Sequence, residues 1–261
     1  MQSGARSVRS REHGETFHPV VGPMAEAVAL HVRGQRLVER ARGRFVIWDV
    51  GLGAAANAIA AIEALRAVDA VVELHSFDRT LEPLAFALAH AGELEYPAPH
   101  RHAIAQILAE GSCAQANLQW RAHVGDFRET MSAAPAPAAI FYDPYSPRAN
   151  PELWTLAHFT RLHARLDPAT PCLLTNYTRS TAVRVTLLLA GFHVGRGHAT
   201  GEKDETTIAT NAPALLTAPL DAAWLGRVAR STQSAPLRSG APGGPISSED
   251  LASVRARLTP P

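Results

Sequence analysis

Seven short apolar runs, spaced by Ala-rich or amphipathic stretches of helix length, constrain this chain more than any other feature. The runs are Phe45–Val50, Val71–Phe77, Leu118–His123, Ala138–Tyr142, Cys172–Tyr177, Phe192–Gly197 and Thr206–Thr210. Between them lie the helical patterns Asn57–Arg66, Leu81–Ala91, Ala103–Glu110, Pro151–Arg165 and Ala182–Ala190. Short apolar runs bounded by Gly, Pro and Asp read as strands buried on both faces. Their alternation with helices predicts an α/β fold: a mostly parallel, seven-stranded sheet with helices on both faces. Phe192–Gly197 and Thr206–Thr210 have no helix between them and predict a final antiparallel hairpin.

In such sheets a ligand sits at the carboxyl ends of the strands. The first strand runs into WDVGLGAAANAIA, Trp48 to Ala60, where Gly51 and Gly53 permit a tight turn and a close backbone approach. The pattern is equally that of a plain strand–helix turn. Ala56 stands at the third position of the dinucleotide fingerprint, which weighs against a dinucleotide. Four acids then fall at successive strand ends: Asp49, Asp78, Asp126 (beside Gly125) and Asp143. One such Asp is commonly a helix cap. A ring of four repels a pyrophosphate and suits a cofactor that carries a sulfonium, an amine and no phosphate. S-adenosyl-L-methionine has that chemistry and NAD does not. Asp78 is placed to accept the ribose hydroxyls and Asp126 the adenine amine. A non-catalytic nucleotide-binding scaffold is the reading of another class, and loss of the acids would be its sign.

Composition narrows the field. The 261 residues are 46% hydrophobic, enough for a large core. Two cysteines, Cys113 and Cys172, exclude a disulfide framework and predict an intracellular, cytoplasmic protein with buried thiols. No stretch approaches the ~20 apolar residues of a membrane span. The arginines of MQSGARSVRSREHGE have no apolar core behind them, unlike a secretory signal. No His or Cys spacing suggests a metal.

Three segments are expected: an entry segment with a helix at 1–44, a catalytic domain at 45–211 and a partly flexible extension at 212–261. Within the last, SAPLRSGAPGGPISSED reads as an extended or mobile tail, and a helical pattern returns at Asp250–Leu258. The three segments carry net charges of +4, −5 and +2, taking the middle as 45–210. Basic ends around an acidic middle suit phosphate contacts at the edge of a site, and suit a solvated surface equally well.

The motifs also resemble a known family. DVGLGAAANAIA is similar to the ETGFGTGLNFLA type of motif in the methyltransferase domain of MnmC, the bifunctional tRNA wobble-uridine modifying enzyme. DPYSPRANPELW resembles that family's DGFAPxxNPxxW element. GETFHPVVGPMAEAVALHV resembles the entry segment of its stand-alone members, and AGFHVGRGHATGEKDETTIA its late AGF…GxxxKxE hairpin. The four motifs keep their order over about Glu15 to Asn211.

The resemblance implies a Rossmann-like class I S-adenosyl-L-methionine-dependent methyltransferase. Its acceptor would be the amine of 5-aminomethyl-(2-thio)uridine at the tRNA wobble position. By position, Asp49, Gly51, Gly53 and Asn57 would line the methionine end of the cofactor, Asp78 the ribose, and Gly125–Asp126 the adenine. Asp143 would lie by the transferred methyl and the amine. Tyr145 is placed to stack on the uracil and His18 to wall the substrate side. Lys203, with Arg148 and Arg184, would meet tRNA phosphates. The chain is too short for the fused oxidase domain, so the expected partner is tRNA, with no membrane and no metal. Two positions depart from the family pattern. Ala55 replaces a glycine, acceptable if its φ is negative. Pro144-Tyr145-Ser146 replaces Gly-Phe-Ala and leaves a small amine or another nucleobase as the alternative acceptor.

Overall fold

A computed structural model of the chain describes residues 22–200, 204–240 and 243–258. Its centre is an eight-stranded sheet in the order β3-β4-β2-β1-β5-β6-β8-β7. The strands are β1 (Gly43–Val50), β2 (Ala70–Asp78), β3 (Ser112–Gln115), β4 (Leu118–Val124), β5 (Ala139–Tyr142), β6 (Leu173–Asn176), β7 (His193–Gly197) and β8 (Thr206–Thr210). β4, β2, β1, β5 and β6 are parallel, and β8 lies antiparallel between β6 and β7. The expected closing hairpin is therefore present. The eighth strand, β3, is an addition to the seven anticipated. It pairs antiparallel with β4 across a turn at Ala116–Asn117, and Asn117 Nδ2 donates to the carbonyls of Leu65, Val68 and Ala70. A four-residue edge strand reading SCAQ has no apolar run to announce it.

The principal helices are α1 (Ala56–Leu65), α2 (Glu82–Ala89), α3 (Arg101–Glu110), α4 (Leu156–His163), α5 (Thr181–Leu189), α6 (Ala222–Arg230) and α7 (Ser248–Leu258). Alternation along β1 and β5 splits the core. Phe45, Ile47, Ala139 and Phe141 pack with α1 and α3, whereas Val46, Trp48, Ile140 and Tyr142 pack with α4, α5 and the carboxyl-terminal helices. Strands flanked on both sides must be apolar on both faces, which is why β1 and β5 read as continuous runs.

Two segments differ from the sequence reading. Pro151–Arg165 is not one helix: a 3₁₀ turn, Pro151–Trp154, breaks at extended Thr155, whose Oγ1 caps α4 by accepting from His158 N at 3.1 Å. The Pro/Gly/Ser-rich tail is irregular but docked. Ser234 and Leu237 are buried, and Leu237 N donates to Thr186 Oγ1 at 2.8 Å while its carbonyl accepts from Leu156 N. The amino-terminal segment, helical at Pro23–Arg33, is sewn to the sheet by polar groups. His31 Nδ1 meets Thr175 Oγ1 at 2.8 Å, and Gln35 Nε2 donates to Ile140 O and Thr175 Oγ1. Among the described residues no helix is long and apolar enough to cross a membrane.

Candidate active site

The seam between β1 and β5 is a tight place at the carboxyl edge of the sheet. Gly51 leaves β1 with φ +93°, and its N–H donates to Phe77 O at 2.9 Å. A Cβ there would lie 2.5 Å from Asp143 O and 3.2 Å from Pro144 Cα. Gly51 is thus required by the approach of the protein's own backbone, a reason the sequence reading assigned to a ligand. Gly53, at φ +50°, donates its N–H to Asp78 Oδ2 at 2.8 Å. That contact joins the turn after β1 to the end of β2.

Ala55 precedes α1 at φ +66°. The expectation of a negative φ is corrected here. A left-handed L-residue costs roughly 1–2 kcal/mol. The methyl is fully buried, worth about 0.8 kcal/mol, and Ala loses less backbone entropy than Gly by roughly 0.5–1 kcal/mol. The terms nearly cancel, so Ala is tolerated by burial rather than by geometry.

Asn57, on the first turn of α1, is buried and donates from Nδ2 to Asp143 Oδ2 at 2.8 Å. Its Oδ1 is buried and makes no hydrogen bond with the described residues. Asp143 N donates to Val50 O at 2.9 Å, which holds the residue level with the end of β1. Beyond it the loop is stiffened from below. Pro144 is buried, Trp154 Nε1 donates to Tyr145 O at 2.9 Å, and the Tyr142 hydroxyl donates to Leu153 O. Burial pushes the Tyr142 phenol well above its ordinary pKa, so it stays a donor. Tyr145 is half-buried on this loop.

The other acids are placed differently from one another. Asp49 is fully buried; its Oδ2 accepts from Ser76 Oγ at 2.8 Å, and Ser76 Oγ accepts from Trp120 Nε1 at 3.0 Å. The Asp49–Ser76 bond locks the end of β1 to β2 beneath the turn. Asp126 follows Gly125 (φ +138°) and caps the helical turn Phe127–Thr130 through Arg128 N at 2.9 Å. Arg128 Nη2 lies 2.5 Å from its Oδ2 and Arg79 Nη2 3.5 Å. The Arg128 guanidinium holds the Asp126 carboxyl down to about 2. Arg79 also pairs with Glu152 at 2.5 Å, tying the loop after β2 to the 3₁₀ turn after β5.

Gly51, Gly53, Asn57, Asp78 and Asp143 are thereby brought together directly, whereas Asp49 lies beneath them and Asp126 is linked through Arg79. His18 and Lys203 lie outside the described residues. Arg184, expected at tRNA phosphates, is instead buried: it donates to Glu205 Oε1, Thr207 Oγ1 and Thr206 O and ties α5 to β8. Glu152, Arg79 and Arg128 were missed, although the D-F-R spacing of a cap with its own cation was visible. Among the described residues, no three His, Cys, Asp or Glu side chains gather as a metal site.

These features fit S-adenosyl-L-methionine. The turn is glycine-rich, Asn57 Oδ1 is a buried acceptor with hydrogen-bonding capacity left, and the carboxylates of Asp78 and Asp143 beside it would suit a cofactor that is cationic and phosphate-free.

Comparison with known proteins agrees. Residues 95–212 match the model of an S-adenosyl-L-methionine-dependent methyltransferase family. The chain is similar to the tRNA 5-methylaminomethyl-2-thiouridine biosynthesis bifunctional protein MnmC of Methylibium petroleiphilum, 29% identical over 89% of this chain and 37% of that one. It is 32% identical to the protein of the same name from an Azoarcus species, over 74% of this chain and 32% of that one. The chain spans about a third of the length of the curated relatives it matches. In fold it resembles MNMC2 from Aquifex aeolicus, with a TM-score of 0.74, 24% identity, and coverage of 99% of this chain and 82% of that one. A glycine turn packed against Asp143, an acid at each neighbouring strand end and these likenesses converge on an S-adenosyl-L-methionine-dependent methyltransferase similar to the MnmC proteins.

Proposed function

We propose that the chain methylates the amine of 5-aminomethyl-(2-thio)uridine at the tRNA wobble position. The observation that carries this reading is the Asn57–Asp143 contact of 2.8 Å at the β1–β5 seam. It puts an oriented carboxylate at the carboxyl edge of the sheet, beside the glycine turn. The names of the MnmC relatives supply the acceptor.

Bound S-adenosyl-L-methionine would supply an electrophilic methyl on a sulfonium. Gly51, Gly53 and Asn57 would hold its methionine end, with Asp49 bracing the turn from below. Asp78 would take the ribose. Asp126 and the Gly125 backbone would take the adenine. An alkyl amine is mostly protonated at neutral pH, since such amines titrate near 10. Asp143 would accept an N–H of this amine, orient its lone pair and draw off the proton. Asn57 positions the carboxylate for that role. Tyr145 would stack on the uracil, as aromatics do on splayed bases. Pro144 and the Trp154 bond to Tyr145 O keep that loop preset, so little ordering is left for the bound state.

The test is methyl transfer to tRNA carrying 5-aminomethyluridine by Asp143→Ala and Asn57→Ala. Asp143→Ala should lose at least 10²-fold in kcat, and Asn57→Ala should lose about 10-fold, within the usual range for a general base and its support. S-adenosylhomocysteine should still bind Asp143→Ala. Transfer by Asp143→Ala within a few-fold of the native rate refutes the role.

A further inference from the structure

Four arginines stand in the loops that leave the carboxyl ends of the parallel strands: Arg79 after β2, Arg128 after β4, Arg148 after β5 and Arg179 after β6. They fall into two classes. Arg79 and Arg128 are paired with Asp126 and Glu152, and this group of four is neutral as a whole. Arg148 and Arg179 are exposed, and neither makes an ion pair or hydrogen bond with the described residues. Both follow a half-buried tyrosine, in Tyr145-Ser-Pro-Arg148 and Tyr177-Thr-Arg179. Their loops are neighbours, because β5 and β6 pair in parallel with Phe141 level with Thr175. Asp143 stands at the root of the first loop. The second is fixed at its root, where the buried Asn176 accepts from Thr178 N at 3.1 Å and the Tyr177 ring packs edge-on to Trp154 at 6.1 Å.

Single-stranded nucleic acid is gripped by this combination: an aromatic face for a base and an uncompensated cation for the adjoining phosphate. We infer that the loops after β5 and β6 form a two-point clamp on RNA. In it Arg148 and Arg179 each neutralise one phosphate flanking the acceptor nucleotide. Arg79 and Arg128, although on the same edge, take no part, because carboxylates already hold them. Arg184 is excluded by burial. The inference rests on reading the acceptor as tRNA, and it names which of the chain's many arginines meet that partner.

The clamp predicts a count. Each phosphate contact contributes about 0.7 to the slope of log K against log salt on single-stranded nucleic acid, which is about fivefold in affinity at 0.1 M salt. Binding of a tRNA transcript, measured from 0.05 to 0.3 M salt, should therefore lose about 0.7 of slope and about fivefold in affinity in R148Q. The loss in R179Q should be the same, and in the double variant about twice the slope. Arg66→Gln, exposed on the opposite edge after α1, should leave the slope unchanged. Thermal unfolding and S-adenosylhomocysteine titration confirm that each variant is folded. Unchanged slopes in R148Q and R179Q, or an equal loss in R66Q, overturn the clamp while leaving tRNA as the partner. Failure of the native chain to bind the transcript overturns the tRNA reading, and the clamp with it.

Discussion

Replacing Gly51 by Ala should damage both stability and methyl transfer. The added Cβ would sit 2.5 Å from Asp143 O and 2.9 Å from its carbonyl carbon, where ordinary contact begins at 3.4 Å. Backbone cannot swing aside like a side chain, so the β5 end must retreat by ~0.9 Å or β1 must shift. The φ of +93° adds strain of its own, roughly 1–2 kcal/mol for an L-residue. Overpacking of this kind costs roughly a further 1–3 kcal/mol. The expected loss of stability is therefore about 2–5 kcal/mol. A displacement of ~1 Å at a reacting group is enough for ~10²-fold in rate, so kcat should fall by about that factor. Gly111→Ala is the control: its φ is +71° but nothing lies within 4 Å of its Cβ. It should cost only ~1 kcal/mol, the strain less the entropy gain, and leave kcat alone. Urea unfolding and steady-state methyl transfer on both variants decide the matter. If Gly51→Ala matches Gly111→Ala in stability and keeps kcat within twofold, the close approach to Asp143 is not what this glycine serves.

Two further outcomes concern acid. His158 is buried and neutral, its pKa pushed down to about 4 chiefly by burial. The unfolded chain takes its proton near 6.5, so this contribution to stability is complete above pH 6.5 and is lost as pH falls towards 4, a change of roughly 3 kcal/mol. His158→Phe should flatten the stability curve across that window, and an unaltered slope would show that His158 is not the group titrating. Asp126 behaves as a carboxylate held down by Arg128: its contribution is complete above about pH 4 and is lost as pH falls through about 2. Because Arg128 is 39% exposed, solvent screening leaves about 1 kcal/mol. Asp126→Asn should cost that much at pH 7, with the difference from the native chain closing below pH 3 in urea titrations.

Much of this molecule was legible because burial writes itself into composition. β5 and most of β1 are covered on both faces and read as apolar runs. The acids at or just beyond the ends of β1, β2, β4 and β5 stood out as charges closing the runs. What escaped has equally physical reasons. β3 is an edge strand whose pairing is entirely backbone, so SCAQ carries no trace of it. The 3₁₀ turn before α4 arises from Asn150-Pro151 and a capping Thr155, which a helix period cannot separate from helix. The tail at Ser234–Gly240 was read from its prolines and glycines. It is nonetheless fixed by the two hydrogen bonds of the buried Leu237 and by Gly240, where a Cβ would meet Pro151 O at 2.6 Å. Of the site, positions were readable but bonding was not. Asp49, Asp78, Asp126 and Asp143 look alike in sequence, whereas one braces the sheet, one holds the turn, one is paired with arginine and one meets Asn57.

The most direct test is transfer of labelled methyl from S-adenosyl-L-methionine to two tRNA pools, one carrying 5-aminomethyluridine at the wobble position and one lacking it. Label in the first pool alone, recovered as the methylaminomethyl nucleoside, is the result the account predicts. Equal labelling of both pools, or none in either from a chain that binds S-adenosylhomocysteine, would contradict it and move the acceptor elsewhere.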